Sequence, residues 1–144
     1  ETLTDNKNRS ASSIRTVLQK NGGRLGESGS TTHLFYNCGV IHINKKNYNE
    51  EEVFEMATNF GAKDCFHLES NHEIVSEKED FYKIKSLFEK KIDNFEYSGI
   101  EWRALTYLDL NKEQNEKVIE ILESLEELDD VQNIYTNASL GNIK

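Results

Sequence analysis

Hydrophobic positions recur along this chain with two alternating periods. Ile14, Val17 and Leu18 stand at i, i+3 and i+4, which predicts a helix over about residues 9–20 with Asn8 as its N-cap and Gly22 as its C-terminal stop. Residues 1–4 read as the tail of a strand, residues 32–36 as a strand, and residues 39–44 as another. Asn49 with Glu52 makes a capping box ahead of a helix whose buried face is Val53, Phe54, Ala57 and Phe60, closed by Gly61. Residues 65–68 and 72–75 read as a hairpin turned at Asn71. Ser76 with Glu79 makes a second capping box, before a helix lined by Phe81, Ile84, Leu87 and Phe88. Residues 96–108 look extended, with Tyr97, Trp102 and Tyr107 as strand aromatics. Asn111 with Gln114 makes a third capping box, and Val118, Ile121, Leu122, Leu125 and Leu128 stripe the helix that follows. Residues 131–135 close the series as a strand.

The middle, residues 39–107, therefore runs β-α-β-β-α-β, the ferredoxin-like split arrangement. Neither flank buries its helix alone. Paired, they form a second β-α-β…α-β layer with the middle looped out of it. The expected fold class is α+β: two small ferredoxin-like α/β sandwich domains, the second inserted into the first. The expected boundaries are residues 1–37 with 107–144 for the discontinuous domain and 38–106 for the insertion. Such an insertion is tolerated where the chain leaves and returns at neighbouring points.

Charge changes what this fold is expected to touch. The net charge is -9 over 144 residues. Residues 1–37 hold five Lys/Arg against three Asp/Glu, residues 38–106 nine against fourteen, and residues 107–144 three against nine. Counterion release needs clustered cations, so these residues alone are expected to bind duplex nucleic acid poorly. Any phosphate contact falls to the N-terminal third, where Lys7, Arg9, Arg15, Lys20 and Arg24 are the candidate nucleic-acid-binding residues. Arg9 and Lys20 lie eleven apart, about three helical turns, and so share a side. The mean hydropathy is -0.71, and no apolar run approaches the ~20 residues of a membrane span, so no membrane partner is expected. No basic-then-apolar leader is visible. The chain opens on Glu1 without Met, which reads as a fragment or a processed form.

Candidate chemistry is thin. Gly23, Gly26 and Gly29 are evenly spaced in a loop that follows a helix and precedes a strand, the reverse of a phosphate-binding glycine run, and no Gly-Lys-Ser/Thr is present. A helix stop and tight turn is the reading. His33, Cys38 and His42 suggest metal spacing, but on strands of alternating parity they do not converge. Cys38 and Cys65 make no disulfide framework. The carboxylates of residues 112–127 repeat on the solvent face of a helix. No RNP1-like run accompanies Tyr97, Trp102 and Tyr107, so these aromatics read as packing residues. No catalytic residue, metal or cofactor is expected, and the protein is read as a non-enzyme.

Three runs carry a family likeness: Leu3-Thr4-Asp5-Asn6-Lys7-Asn8-Arg9, then Gly22-Gly23-Arg24-Leu25-Gly26-Glu27-Ser28-Gly29-Ser30, then Leu125-Glu126-Glu127-Leu128-Asp129-Asp130-Val131-Gln132-Asn133-Ile134-Tyr135. In that order they resemble the YebC family of gene-expression regulators. The pieces between agree in kind: Leu34-Phe35 ending a strand, Gly39-Val40-Ile41 opening the middle domain, and residues 113–118 entering the last helix. The resemblance implies three domains: a basic helical N-terminal one that this chain lacks, together with most of the next domain's first strand, and two α+β domains, the third inserted into the second. It implies a transcriptional regulator or a mitochondrial translational activator. Such a protein associates with DNA, RNA or the ribosome through the missing domain, in the cytoplasm or in a mitochondrion or plastid-like organelle. It leaves the oligomeric state open. The rival reading is a small-molecule-sensing ferredoxin-like regulatory module, which rests on fold analogy.

Overall fold

A computed structural model describes residues 1–140 of the chain. They form two compact units, one made of residues 1–36 with those from 104 on, the other of residues 37–103.

The second unit is built on four strands and two helices. β1 (Phe35–Asn44) is followed by α2 (Glu50–Phe60), β2 (Asp64–His67), β3 (Asn71–Glu77), α3 (Phe81–Glu89) and β4 (Tyr97–Ala104); α1 (Lys7–Lys20) precedes them in the other unit. The sheet order is β2-β3-β1-β4, the order of a split β-α-β pair. β3 runs antiparallel to both β1 and β2, with Val40 opposite Val75 and Phe66 opposite Glu73. The Glu96 N–H donates to the His42 carbonyl and the Leu105 N–H to the Leu34 carbonyl, so β4 runs back along β1.

Parity divides the sheet. Ile41, Ile43 and Ile74 point at the helices and join Val53 and Ala57 of α2 and Phe81, Ile84 and Phe88 of α3, with Ile92 beyond it, in one buried cluster. The Phe60 ring meets Phe88 edge-on at 4.9 Å. Gly39 is buried opposite Ser76, and a Cβ there would overlap the Phe81 ring and the Ser76 hydroxyl. The missing side chain is what lets α3 lie against β1.

Several local expectations shift. Residues 32–36 and 39–44 are not two strands: a 3-10 turn at Thr32–Leu34 leads into the single strand β1. The first helix starts at Lys7, and its cap is Asn6, whose Oδ1 accepts the Arg9 N–H at 3.0 Å. Asn8 lies inside the first turn. Asn49 with Glu52 and Asn111 with Gln114 form the two reciprocal capping boxes expected of them. Ser76 with Glu79 does not. Ser76 is drawn into β3, a 3-10 turn (Lys78–Asp80) intervenes, and α3 starts without a side-chain cap. Phe54 is 57% exposed, because the buried stripe of α2 passes through Val53, Met56, Ala57 and Phe60.

The first unit carries α1, β5 (Leu108–Asp109), α4 (Lys112–Glu126) and β6 (Ala138–Ser139). α1 packs on α4. β5 pairs with β6 in parallel, Leu108 opposite Ala138. The closing strand expected at residues 131–135 is replaced by β6: Val131 makes one antiparallel bridge, to Thr2, and residues 132–137 form no ladder. Among the described residues, 1–3 lie alongside, through the Leu3 N–H to the Asp130 carbonyl and the Gln132 N–H to the Glu1 carbonyl. Gly22, at φ +80, is the expected stop of α1.

Gly39→Ala is expected to cost about 1–3 kcal/mol through overpacking against Phe81. Urea unfolding of the two proteins checks this; equal midpoints would mean that α3 shifts freely.

Candidate functional site

The two ends of the first unit meet in a polar clasp. Arg9 is the third residue of α1, and its guanidinium reaches two carboxylates. Nη2 donates to Asp5 Oδ1 at 2.8 Å and to Asp130 Oδ1 at 3.1 Å, and Nε donates to Asp130 Oδ2 at 3.3 Å. The fork geometry of arginine suits this paired contact with Asp130. Ser10 Oγ lies 2.7 Å from Asp130 Oδ2 and 2.7 Å from Thr4 Oγ1. A carboxylate only accepts, so the Ser10 hydroxyl donates to Asp130 and leaves a lone pair for Thr4. The Ser10 hydrogen bond, and then Arg9, hold the Asp130 carboxyl below the usual range. Asp130 and then Asp5 raise the Arg9 guanidinium in turn. A groove of about 490 Å³ opens beside the clasp, walled by Ser13 and Ile14 of α1 and by residues 127–131.

Of the five candidate cations, Arg9 is therefore committed within the protein. Lys7, Arg15, Lys20 and Arg24 are exposed and make no ion pair among the described residues. At ~100° per residue, Arg15 lies about 240° round α1 from Arg9, and Arg24 is in the loop beyond, so the five do not gather into one patch.

The second unit has a cluster that periodicity does not flag. Glu73 stands opposite His42 across the β1–β3 ladder, on the face away from Ile74. Its Oε2 lies 2.8 Å from His42 Nε2, and its Oε1 accepts Arg103 Nη1 at 2.9 Å. Glu101 flanks Arg103 at 3.6 Å, and the Tyr97 ring sits 5.5 Å from His42. The Glu73 side chain is only 12% exposed. Burial pushes its carboxyl up, but the bonds from Arg103 and His42 outweigh it and leave the group more acidic than usual. Burial likewise disfavours the Arg103 cation, and Glu73 more than reverses this. The partners lie on β3 and β4, either side of β1, on the sheet face opposite Ile74, so no local pattern in the sequence flags them.

Metal and nucleophile readings gain nothing here. No group of three or more His, Cys, Asp or Glu among the described residues is arranged to hold a metal ion. His33 lies in the 3-10 turn, and His42 is bonded to Glu73. Burial pushes both thiols, Cys38 and Cys65, above their ordinary values, which makes them poor nucleophiles. His67 and His72 face each other at the β2–β3 hairpin, Nδ1 to Nδ1 at 2.8 Å. Because His72 Nε2 donates to the Tyr48 carbonyl at 2.7 Å, neutral His72 accepts from His67. No helix of the described residues is long and apolar enough to cross a membrane.

Two predictions follow from the clusters. Glu73→Gln strands Arg103 and is expected to cost about 2–3 kcal/mol in urea unfolding, below the ~3–5 of a fully buried pair because the site is partly wet. The lowered carboxyl of Asp130 stabilises the folded state above the unfolded value of about 3.9, and that stability fades as pH falls through the lower folded value. Asp130→Asn is expected to lower the unfolding midpoint near neutral pH and to flatten its acid dependence. An unchanged acid limb would show that the clasp carries none of it.

Comparison with known proteins places these features in a family. The family model described as the TACO1/YebC second and third domain matches residues 1–138. A probable transcriptional regulatory protein of Pelagibacter ubique is 43% identical over 142 residues, which is 99% of this chain and 59% of that protein. One of the same description from Borreliella afzelii is 40% identical over 138 residues, 96% of this chain and 56% of that one. The crystal structure of a conserved hypothetical protein from Aquifex aeolicus superposes with a TM-score of 0.85 at 36% identity, covering 99% of this chain and 60% of that chain. The chain thus spans less than two thirds of the length of each of these relatives. With a family model matched from Glu1 to Ala138 and relatives this similar along nearly the whole chain, the protein belongs to the TACO1/YebC family, in the part that holds its second and third domains.

Proposed function

We propose that this chain is the docking part of a non-enzymatic regulator of gene expression. The observation that carries the proposal is the identity, over nearly its whole length, with proteins named probable transcriptional regulatory proteins. In this reading nucleic acid or the ribosome is gripped by the part of the longer relatives that lies outside the stretch matched by this chain. Residues 37–103 and those from 104 on are acidic, and acidic surfaces repel phosphate. The exposed carboxylates of α4 (Glu113, Glu116, Glu120 and Glu123) and of the first turn of α2 instead meet basic protein. Whatever phosphate contact the chain makes itself falls to Lys7, Arg15, Lys20 and Arg24, since Arg9 is held by Asp5 and Asp130. Transcriptional and ribosomal targets share this chemistry, and both fit the division of labour.

Side-by-side binding of a single-stranded RNA and a DNA duplex to this chain and to the full-length Pelagibacter ubique relative tests the proposal, with ribosome pelleting as a second arm. The full-length protein is expected to bind naked nucleic acid at least about tenfold more tightly, with the steeper salt dependence that more phosphate contacts bring. Equal affinity would overturn the division of labour.

A further inference from the structure

A second groove lies wholly within the residue 37–103 unit. It has a volume of about 410 Å³ and runs along one face of α2, where Glu52, Glu55, Met56, Asn59 and Phe60 recur at helical spacing, with Tyr48 and one cation, Lys91, completing the lining. Its floor is apolar. Met56, Phe60 and Tyr48 are each half-buried, and Phe60 is anchored on the buried Phe88. Its far rim is fixed: the Tyr48 carbonyl accepts from His72, and the Tyr48 hydroxyl accepts the Asp93 N–H beyond α3 at 3.4 Å. The groove is thus built before any ligand arrives.

Its charges are left unsatisfied. Glu55 is exposed and has no ion pair among the described residues. Glu52 spends one oxygen on the Asn49 N–H, a cap bond, and makes no ion pair among the described residues. α2 carries Glu50, Glu51, Glu52 and Glu55 and no Lys or Arg, and among the described residues only Glu50 is paired, with Lys45; Lys91, across the groove, makes no ion pair among them either. An apolar, aromatic floor beside the open Glu55 and the half-used Glu52, two carboxylates against the single Lys91, is complementary to a side chain with an apolar stem and a cationic head. Arginine fits best, because its planar guanidinium stacks on an aromatic ring and accepts a carboxylate partner at the same time. Phosphate is the poorer ligand here, since Glu52 and Glu55 outnumber Lys91.

We infer that this groove on α2 is a docking site for an arginine-bearing, basic segment of a partner protein. The inference deepens the docking half of the proposed function and rests on it. The geometry seats one arginine over Met56 and Phe60 with its head at Glu55, and flanking cations meet the first turn of α2.

Fluorescence anisotropy of this chain with a labelled ten-residue peptide of alternating Arg and Gly tests it, against the same peptide made with citrulline and against a labelled single-stranded RNA. Three variants separate the possibilities: Glu55→Lys in the groove, Glu79→Lys as a charge-matched exposed bystander, and Glu120→Lys on α4. Glu55→Lys is expected to weaken the Arg peptide about tenfold or more, with the bystander within about twofold and the citrulline peptide as weak as the groove variant. Equal losses in Glu55→Lys and Glu79→Lys would reduce the effect to net charge and overturn the groove while leaving protein docking in place. A loss confined to Glu120→Lys would overturn the groove and move docking to α4. No binding of the Arg peptide by any form, or tighter binding of RNA than of peptide, would overturn both the groove and the docking reading.

Discussion

The first unit exists because the two ends of the chain are held together. The Leu3 N–H bonds the Asp130 carbonyl, Thr2 bridges Val131, and the Arg9–Asp130–Ser10 clasp locks α1 onto the same corner. Bringing residues so distant in sequence together carries a loop-closure cost that grows only slowly with length. A lone exposed ion pair, worth about 0–1 kcal/mol, is a weak counterweight. The clasp differs from a lone pair in being a network. One carboxylate takes a forked guanidinium and a short hydroxyl bond, and Asp5 adds a second anion to the same arginine. At the other end of the unit, the Leu105 N–H on the Leu34 carbonyl brings together the points where the chain leaves and returns. The residues between are then free to fold as a module of their own.

That module is specified by parity. Along β3, Ile74 belongs to the core, while Glu73 on the opposite face meets His42 and Arg103. A slip of one residue would carry Glu73 under the helices and Ile74 out to the polar side. The Glu73–His42–Arg103 trio thus penalises the wrong register, a role for which partly buried polar groups are suited. Gly39 adds a steric condition, since only a residue without a side chain allows Phe81 its place over β1.

The legible features were the ones settled within a few residues of chain. Asn49 with Glu52 and Asn111 with Gln114 make capping boxes because each pair answers only to its own first turn. The β-α-β-β-α-β order was legible too, because hydrophobic period separates strands from helices in every segment from β1 to β4. The illegible features depended on distant partners. Ser76 has the same local chemistry as Asn49, but its pairing with Gly39 keeps it in the sheet. Residues 131–135 read as a strand from Val131, Ile134 and Tyr135, yet a strand needs a backbone alongside it, and among the described residues the pairing is a single bridge from Val131 to Thr2. Arg9 read as a free cation because Asp130 lies 121 residues away in sequence. Glu73 and Arg103 went unpaired for the same reason.

The clasp also bears on where function resides. The family-like runs at residues 3–9 and 125–135 are the two that meet in space at Arg9 and Asp130. Their likeness is therefore explained by construction: Asp130, Ser10 and Thr4 do for the fold what a core does elsewhere, and none is free to hold a ligand while it does so. Such runs identify a family without marking a site. The docking groove proposed on the outer face of α2 draws instead on residues such as Glu55 and Met56, which lie outside these runs. Glu55 has no ion-pair partner among the described residues, and the floor beside it is already set by Tyr48 and Phe60.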